Sequence, residues 1–287
     1  MRIAYVIQGH KNPAQIARLV KRLNSENSPV WWHVSAAKHR LDQQVRLLLD
    51  HTPHVHEVPA QYMYWNSWSF VRAILFCLRW IVSSGEHFDY VVLITGQDYP
   101  LLSRQQMLDY FQQLDGRSLL DHFEKPLPTP AWSNGGLDRF QNLHFVIPKP
   151  WGRGDEYRFE IKPPYQRTLP DGYRLWGGGG YWALTREHVT YLIRTLEMNP
   201  RLERLFRFSS VPDEIFFHTL LLSKLPHSEF INQSVTYAAW NRPSGPYPAI
   251  FTNEDLYEVI SSVHPFARKF DIQIDSRILD LIDERIS

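Results

Sequence analysis

Apolar positions follow two alternating periods along the first third of the chain. Ile3 to Ile7 is a short β-rich apolar run. Asn12 and Pro13 then set up a helix whose Ile16, Leu19, Val20 and Leu23 recur at helical spacing. Val30 to Val34 predicts a second strand, Leu41 to Leu49 a second helix and Val55 to Val58 a third strand. Trp68 to Val82 is apolar nearly all round, as in a helix covered by neighbours. It is shorter than the ~20 residues that cross a bilayer, and Arg72 and Arg79 interrupt it, so no transmembrane segment is expected. Tyr90 to Thr95 suits a strand buried on both faces, and Ser103 is placed to cap a helix through Leu114.

Strands alternating with helices predict an α/β fold with a mostly parallel central sheet flanked by helices, and ligands beyond the carboxyl ends of the strands. The first of those ends carries Gln8-Gly9-His10 and the fourth Gly96-Gln97-Asp98. Glycine among short polar residues there would let backbone approach a nucleotide. From Glu124 to Trp176 the periodicity fades, and we read short strands and loops forming a wall for a second substrate. Tyr181 to Leu184 resumes as a strand, Thr185 caps a helix through about Leu196, and Pro212 opens another through Leu222. Val235 to Tyr237 is strand-like, Thr252 with Asp255 forms a capping box for a helix through Ile260, and Ser276 begins a last helix. No repeat or linker divides the 287 residues, so one globular unit is expected.

Charge narrows the partners. Lys plus Arg number 31 and Asp plus Glu 30, a net +1, which argues against nucleic acid or an anionic surface held by bulk charge. The single cysteine, Cys77, excludes an internal disulfide and a multi-cysteine zinc cage and fits a reducing, cytoplasmic setting. With no charged-then-apolar leader before Ile3, no cleaved segment is expected. The 16 Phe, 14 Tyr and 10 Trp fit either a generous core or exposed rings that stack on sugars.

Several chemistries are missing. No Walker loop and no GxGxxG leading into a helix occurs, and the glycine run Gly177 to Gly180 leads into a strand. No Asp-x-Asp is present, the pair with which metal-dependent sugar transferases hold a divalent ion. His54 and His56 have metal-ligand spacing but no third ligand, and equally fit ordinary polar positions. Pro212-Asp213-Glu214 is standard helix-start composition, or a carboxylate kept ionised by a helix dipole and able to take a proton. Phe266 to Asp271 sets Arg268 and Lys269 between aromatics, either a solvated turn or a cation for phosphate oxygens.

Taken in order, Ala4 to His10, Trp65-Asn66-Ser67-Trp68-Ser69, Leu93 to Leu101, Val211 to Glu214 and Phe266 to Asp271 together resemble the core-2/I-branching β-1,6-N-acetylglucosaminyltransferases, a family that includes peptide O-xylosyltransferases. The resemblance implies a GT-A-type nucleotide-sugar transferase fold and inverting transfer of a sugar, GlcNAc or xylose, from a UDP-sugar to a glycan or lipid-linked saccharide. It implies no metal and no cofactor, the UDP-sugar being a substrate. Residues 1–123 would hold the nucleotide and 124–287 the acceptor and the catalytic group. Glu214 matches the family's base, Lys269 its diphosphate cation, and Gln8, Gly9, His10, Trp65 and Asp98 line the nucleotide. Glu124, Arg139 and Trp240 match acceptor positions. Ser35 stands where the family has an aspartate, and Arg242 is the nearest counterpart of a second diphosphate arginine. The implied location is cytoplasmic, at most peripheral at the inner membrane face. Rival readings are a glycoside hydrolase pairing Glu214 with Glu124 or Asp98, and a non-catalytic sugar-binding protein.

Overall fold

The structure is a computed structural model that describes residues 1–38, 40–124, 136–149, 156–242 and 247–287. The first half runs β1 (Ile3–Gly9), α1 (Pro13–Leu23), β2 (Val30–Val34), α2 (Leu41–Leu49), β3 (Val55–Glu57), α3 (Trp68–Ser83), β4 (Tyr90–Thr95), β5 (Asp98–Pro100), α4 (Arg104–Gln113), β6 (Ser118–Leu119) and β7 (Phe123–Glu124). It continues with α5 (Leu137–Gln141), β8 (Leu143–Pro148), β9 (Glu156–Ile161), β10 (Trp176–Gly177), β11 (Ala183–Thr185), α6 (Arg186–Met198) and α7 (Arg201–Phe206). Last come α8 (Phe216–Leu222), β12 (Phe230–Ile231), β13 (Thr236–Ala238), α9 (Leu256–Ile260), β14 (Phe266–Arg268) and α10 (Arg277–Ile286). Much of the expected wall, residues 125–135 and 150–155, lies outside the described residues.

The main sheet has the strand order β12-β6-β11-β4-β1-β2-β3. The strands β4, β1, β2 and β3 are mutually parallel, and β11 enters antiparallel against both β4 and β6. Alternation along β1 divides the core in two. Ile3, Tyr5 and Ile7 pack with Ile16, Leu19, Val20 and Leu23 of α1, whereas Ala4 and Val6 face Val71, Ile74, Leu75 and Leu78 of α3. This is the mostly parallel, two-sided α/β sandwich expected from the alternating periods.

Local expectations fare unevenly. Ser103 does form a capping box with Gln106, as Thr252 does with Asp255. Asn12 does not cap α1 with its side chain, which instead donates to Asp271 Oδ1 at 2.7 Å. The glycines at the strand ends serve packing: a Cβ on Gly9 would lie 2.7 Å from Ile16 Cδ1, and one on Gly96 2.7 Å from Ile16 Cγ1. Phe266 to Arg268 is no solvated turn but a buried strand, parallel to β13 and antiparallel to β5.

This small sheet is tied to the large one by Asp98. The Thr95 amide and hydroxyl donate to its Oδ2 at 2.7 and 2.5 Å, and the Thr236 hydroxyl donates to Oδ1 at 3.0 Å. The glycine run has its own steric reason. A Cβ on Gly178 would fall 1.7 Å from the Asp121 carbonyl oxygen, whereas one on Gly179 would meet only the end of the Asp121 side chain at 3.3 Å. Gly178→Ala is therefore expected to cost about 3 kcal/mol, and Gly179→Ala less than about 1 kcal/mol. Urea unfolding of the two variants checks this, and equal costs would contradict it.

Candidate active site

Beyond the ends of β1 and β14, positive charge accumulates. His10 follows β1, and its pKa is pushed down to about 4, first by burial and then by Lys11, Lys38, Arg268 and Lys269. Burial, Arg268 and Lys11 likewise push the Lys269 ammonium down, and its Nζ lies 3.4 Å from the Tyr247 carbonyl. The Arg268 guanidinium lies 4.0 Å over the Tyr181 ring and 3.9 Å from Asp98, and its buried Nε has no hydrogen-bond partner among the described residues. Lys11 pairs with Asp271 at 2.6 Å. A neutral imidazole flanked by four cations is an environment for an anion with several oxygens.

Other residues matched to the nucleotide point elsewhere. Gln8 is buried, with Nε2 3.6 Å from Cys77 Sγ and Oε1 2.9 Å from His33 Nδ1. His33 Nε2 accepts from the Gln61 amide, so Nδ1 is the donor to Gln8, and burial lowers the His33 pKa to about 4. Ser35 is buried and bonded to the Met63 backbone. Asp98 is buried among its threonines, which takes it out of the hydrolase reading as a second carboxylate. Arg242 gives Nη2 to Asp255 and Glu258, each at 2.7 Å. Trp65 is exposed, with the Arg158 guanidinium 4.9 Å over its ring.

The carboxylates sit on a tight turn. Pro212 does not open an α-helix: Pro212–Glu214 is one 3₁₀ turn, and α8 starts only at Phe216. Val211 before it adopts the left-handed region at φ 42, costly for a β-branched residue. Asn66 Oδ1 holds it by accepting from the Val211 amide and the Ser210 hydroxyl. From the other side the Gly178 amide donates to the Glu214 carbonyl at 3.0 Å. A Cβ on Gly180 would come 2.8 Å from Asp213 Oδ2.

Charge on this turn is shared out. Asp213 is buried, and desolvation reinforced by Glu214 pushes its pKa up to about 7, the reverse of the dipole effect expected from the sequence. Glu214 pairs with Arg139 of α5, Nη1 to Oε2 at 2.5 Å, and the Ser210 amide donates to the Arg139 carbonyl. Arg139, expected at the acceptor, thus touches the expected base. Glu124 lies opposite Trp176, two residues before Gly178, and is 3.3 Å from Arg174. Trp240 is exposed.

Other constellations are structural. His56 stacks on Trp31 at 4.6 Å and lies 3.2 Å from Glu86. No group of three metal-ligating side chains occurs among the described residues. Ser118, His188 and Glu229 form a hydrogen-bonded chain at 2.6 and 2.9 Å, but Ser118 is wholly buried and out of reach of a substrate.

Relatives share this framework at low identity. Rat xylosyltransferase 2 is 23% identical over 302 residues, 99% of this chain and 33% of that protein, so the chain spans about a third of the xylosyltransferases it matches. A beta-glucuronosyltransferase of Arabidopsis thaliana is 24% identical over 99% of this chain and 66% of its own length. Mouse xyloside xylosyltransferase 1 is 11% identical over 93% of this chain and 96% of that chain with a TM-score of 0.42, a likeness too distant to argue from. Residues 3–260 match the profile of the Core-2/I-branching enzyme, and the chain belongs to that family.

Proposed function

We propose that the protein is an inverting glycosyltransferase that moves a sugar from a UDP-sugar to a hydroxyl of a saccharide acceptor without a metal ion. The observation that carries this reading is the convergence of Lys11, Lys38, Arg268 and Lys269 on His10 at the carboxyl ends of the strands. Membership of the family supports transfer of a sugar; the named relatives make xylose and glucuronic acid, and the resemblance noted in the sequence makes N-acetylglucosamine, the donor sugars to assay first.

In the reaction, Glu214 takes the proton of the acceptor hydroxyl as its oxygen attacks the anomeric carbon. The bond from that carbon to the diphosphate oxygen breaks on the opposite face, so one displacement inverts the configuration. Lys269 and Arg268 stabilise the charge that grows on the diphosphate, the kind of preorganised stabilisation that is commonly the largest catalytic contribution. Burial pushes the Asp213 pKa up to about 7, so below neutral pH the negative charge of the turn rests on Glu214, which the Arg139 cation faces.

Four outcomes test these assignments. Glu214→Gln should lower turnover by ~10²–10⁴-fold with UDP affinity nearly unchanged; wild-type turnover in the folded variant would overturn the assignment. Activity should survive EDTA. Lys269→Ala should weaken UDP-sugar binding and slow transfer, and Lys269→Arg should restore only part, since a planar fork does not replace a point charge. Loss of activity in EDTA that Mn²⁺ restores would replace the metal-free mechanism. Finally, Asp213 holds a proton in the folded state that the unfolded chain, titrating near 3.8, has lost. Its contribution is complete below about pH 4 and disappears as pH rises towards about 7. His10 and His33, held near 4, act in the opposite direction in both proteins. The expected outcome is therefore that the melting temperature of the wild type falls relative to that of Asp213→Asn as pH rises across that window, and a constant difference would contradict the assignment.

A further inference from the structure

The hairpin of β8 and β9 is amphipathic in the reverse sense. Its register pairs Leu143 with Ile161, Phe145 with Phe159 and Ile147 with Tyr157, so alternation puts all six on one face. Ile147, Tyr157, Phe159 and Ile161 are 47, 57, 45 and 47% exposed. Phe145 stacks on Phe159 at 4.9 Å, and the exposed Phe208 extends the patch at 5.1 Å from Phe145. The opposite face carries His144, Glu156, Arg158 and Glu160 together with Val146 and Pro148, and its polar side chains are paired. Arg158 lies over Trp65 and pairs with Glu156, while Glu160 accepts from Asn142 and lies 3.3 Å from His144. A one-sided antiparallel sheet normally turns its apolar face inward.

Charge is segregated in the same way. Alternation sends both carboxylates of β9 to the polar face. Two cations border the apolar one: Lys149 lies 5.4 Å from the Tyr157 ring centre and Arg207 5.8 Å from that of Phe208. Aliphatic side chains between aromatic rings, with cations at the margin, match the boundary between acyl chains and anionic headgroups. With a net charge of only +1, attraction to such a surface has to be local.

We propose that this face docks onto an anionic bilayer, with Tyr157, Phe159, Ile147 and Ile161 at the headgroup boundary and Lys149 and Arg207 on lipid phosphates. The hairpin follows α5, which carries Arg139, and the His144 amide donates to the Phe208 carbonyl at 2.7 Å, so docking sets the Glu214 turn beside the membrane. On the transferase reading, on which this last consequence rests, the acceptor is a saccharide borne by a lipid of that bilayer.

Co-sedimentation of the full chain with phosphatidylcholine vesicles, with and without phosphatidylglycerol, tests the docking with no sugar donor present and therefore independently of the transferase reading. The expected result is binding that needs phosphatidylglycerol and weakens with salt. It should fall at least about tenfold in Tyr157→Ser/Phe159→Ser and about fivefold in each of Lys149→Gln and Arg207→Gln, with unchanged melting curves for the glutamine variants as the control for folding. No binding to anionic vesicles, or binding equal in all variants, overturns the proposal. A dimer that Tyr157→Ser/Phe159→Ser dissolves, without vesicle binding, also overturns it and assigns the face to a second copy of the chain.

Discussion

One buried carboxylate joins the two sheets on which the candidate site rests. Asp98 has no exposed surface, and its oxygens are taken by the Thr95 amide and hydroxyl at the end of β4 and by the Thr236 hydroxyl of β13. Removing one partner from a buried charge typically costs several kcal/mol, because the remaining charge keeps its desolvation penalty. The register Arg268↔Asp98 then fixes where β14 ends, and with it Arg268 and Lys269. Asp98, which the sequence suggested as a nucleotide contact, is wholly buried and anchors the strand that ends in Arg268.

Two charge devices stand on this frame, and they are opposite in kind. At the strand ends, cations crowd a histidine until burial and repulsion keep it neutral. On the Pro212–Glu214 turn, two adjacent acids are separated by environment: burial gives Asp213 its proton, and Arg139 pairs with Glu214. One region gathers cations around a neutral ring, and the other separates two neighbouring acids by burying one and pairing the other.

What the sequence made legible was what is local. Helix and strand periods placed β1 through β4, and the short-range signals of Ser103 as a cap and of Thr252-x-x-Asp255 held because their partners are three residues away. Pro212 misled because the composition of a helix start does not distinguish an α-helix from a single 3₁₀ turn. The packing demand on Gly9 and Gly96 could not be read from the sequence, because it comes from Ile16, a residue on another element. Arg139 reaches Glu214 across 75 positions of sequence, and Asn66 reaches Val211 across 145. No spacing rule links such pairs, so the role of Asn66 at Val211 and the approach of Lys11 and Lys38 to His10 emerge only once the chain is folded.

The backbone at Val211 has a mechanical side. A β-branched residue in the left-handed region costs on the order of 1–3 kcal/mol, and here the Asn66 side chain is the catch that holds it, through the amide of Val211 and the hydroxyl of Ser210. Glu214 lies three residues beyond Val211, and Trp65 one residue before Asn66. The strained turn is therefore held by a side chain whose chain neighbour, Trp65, stands in solvent, so the backbone that carries Glu214 is braced from a segment on the surface.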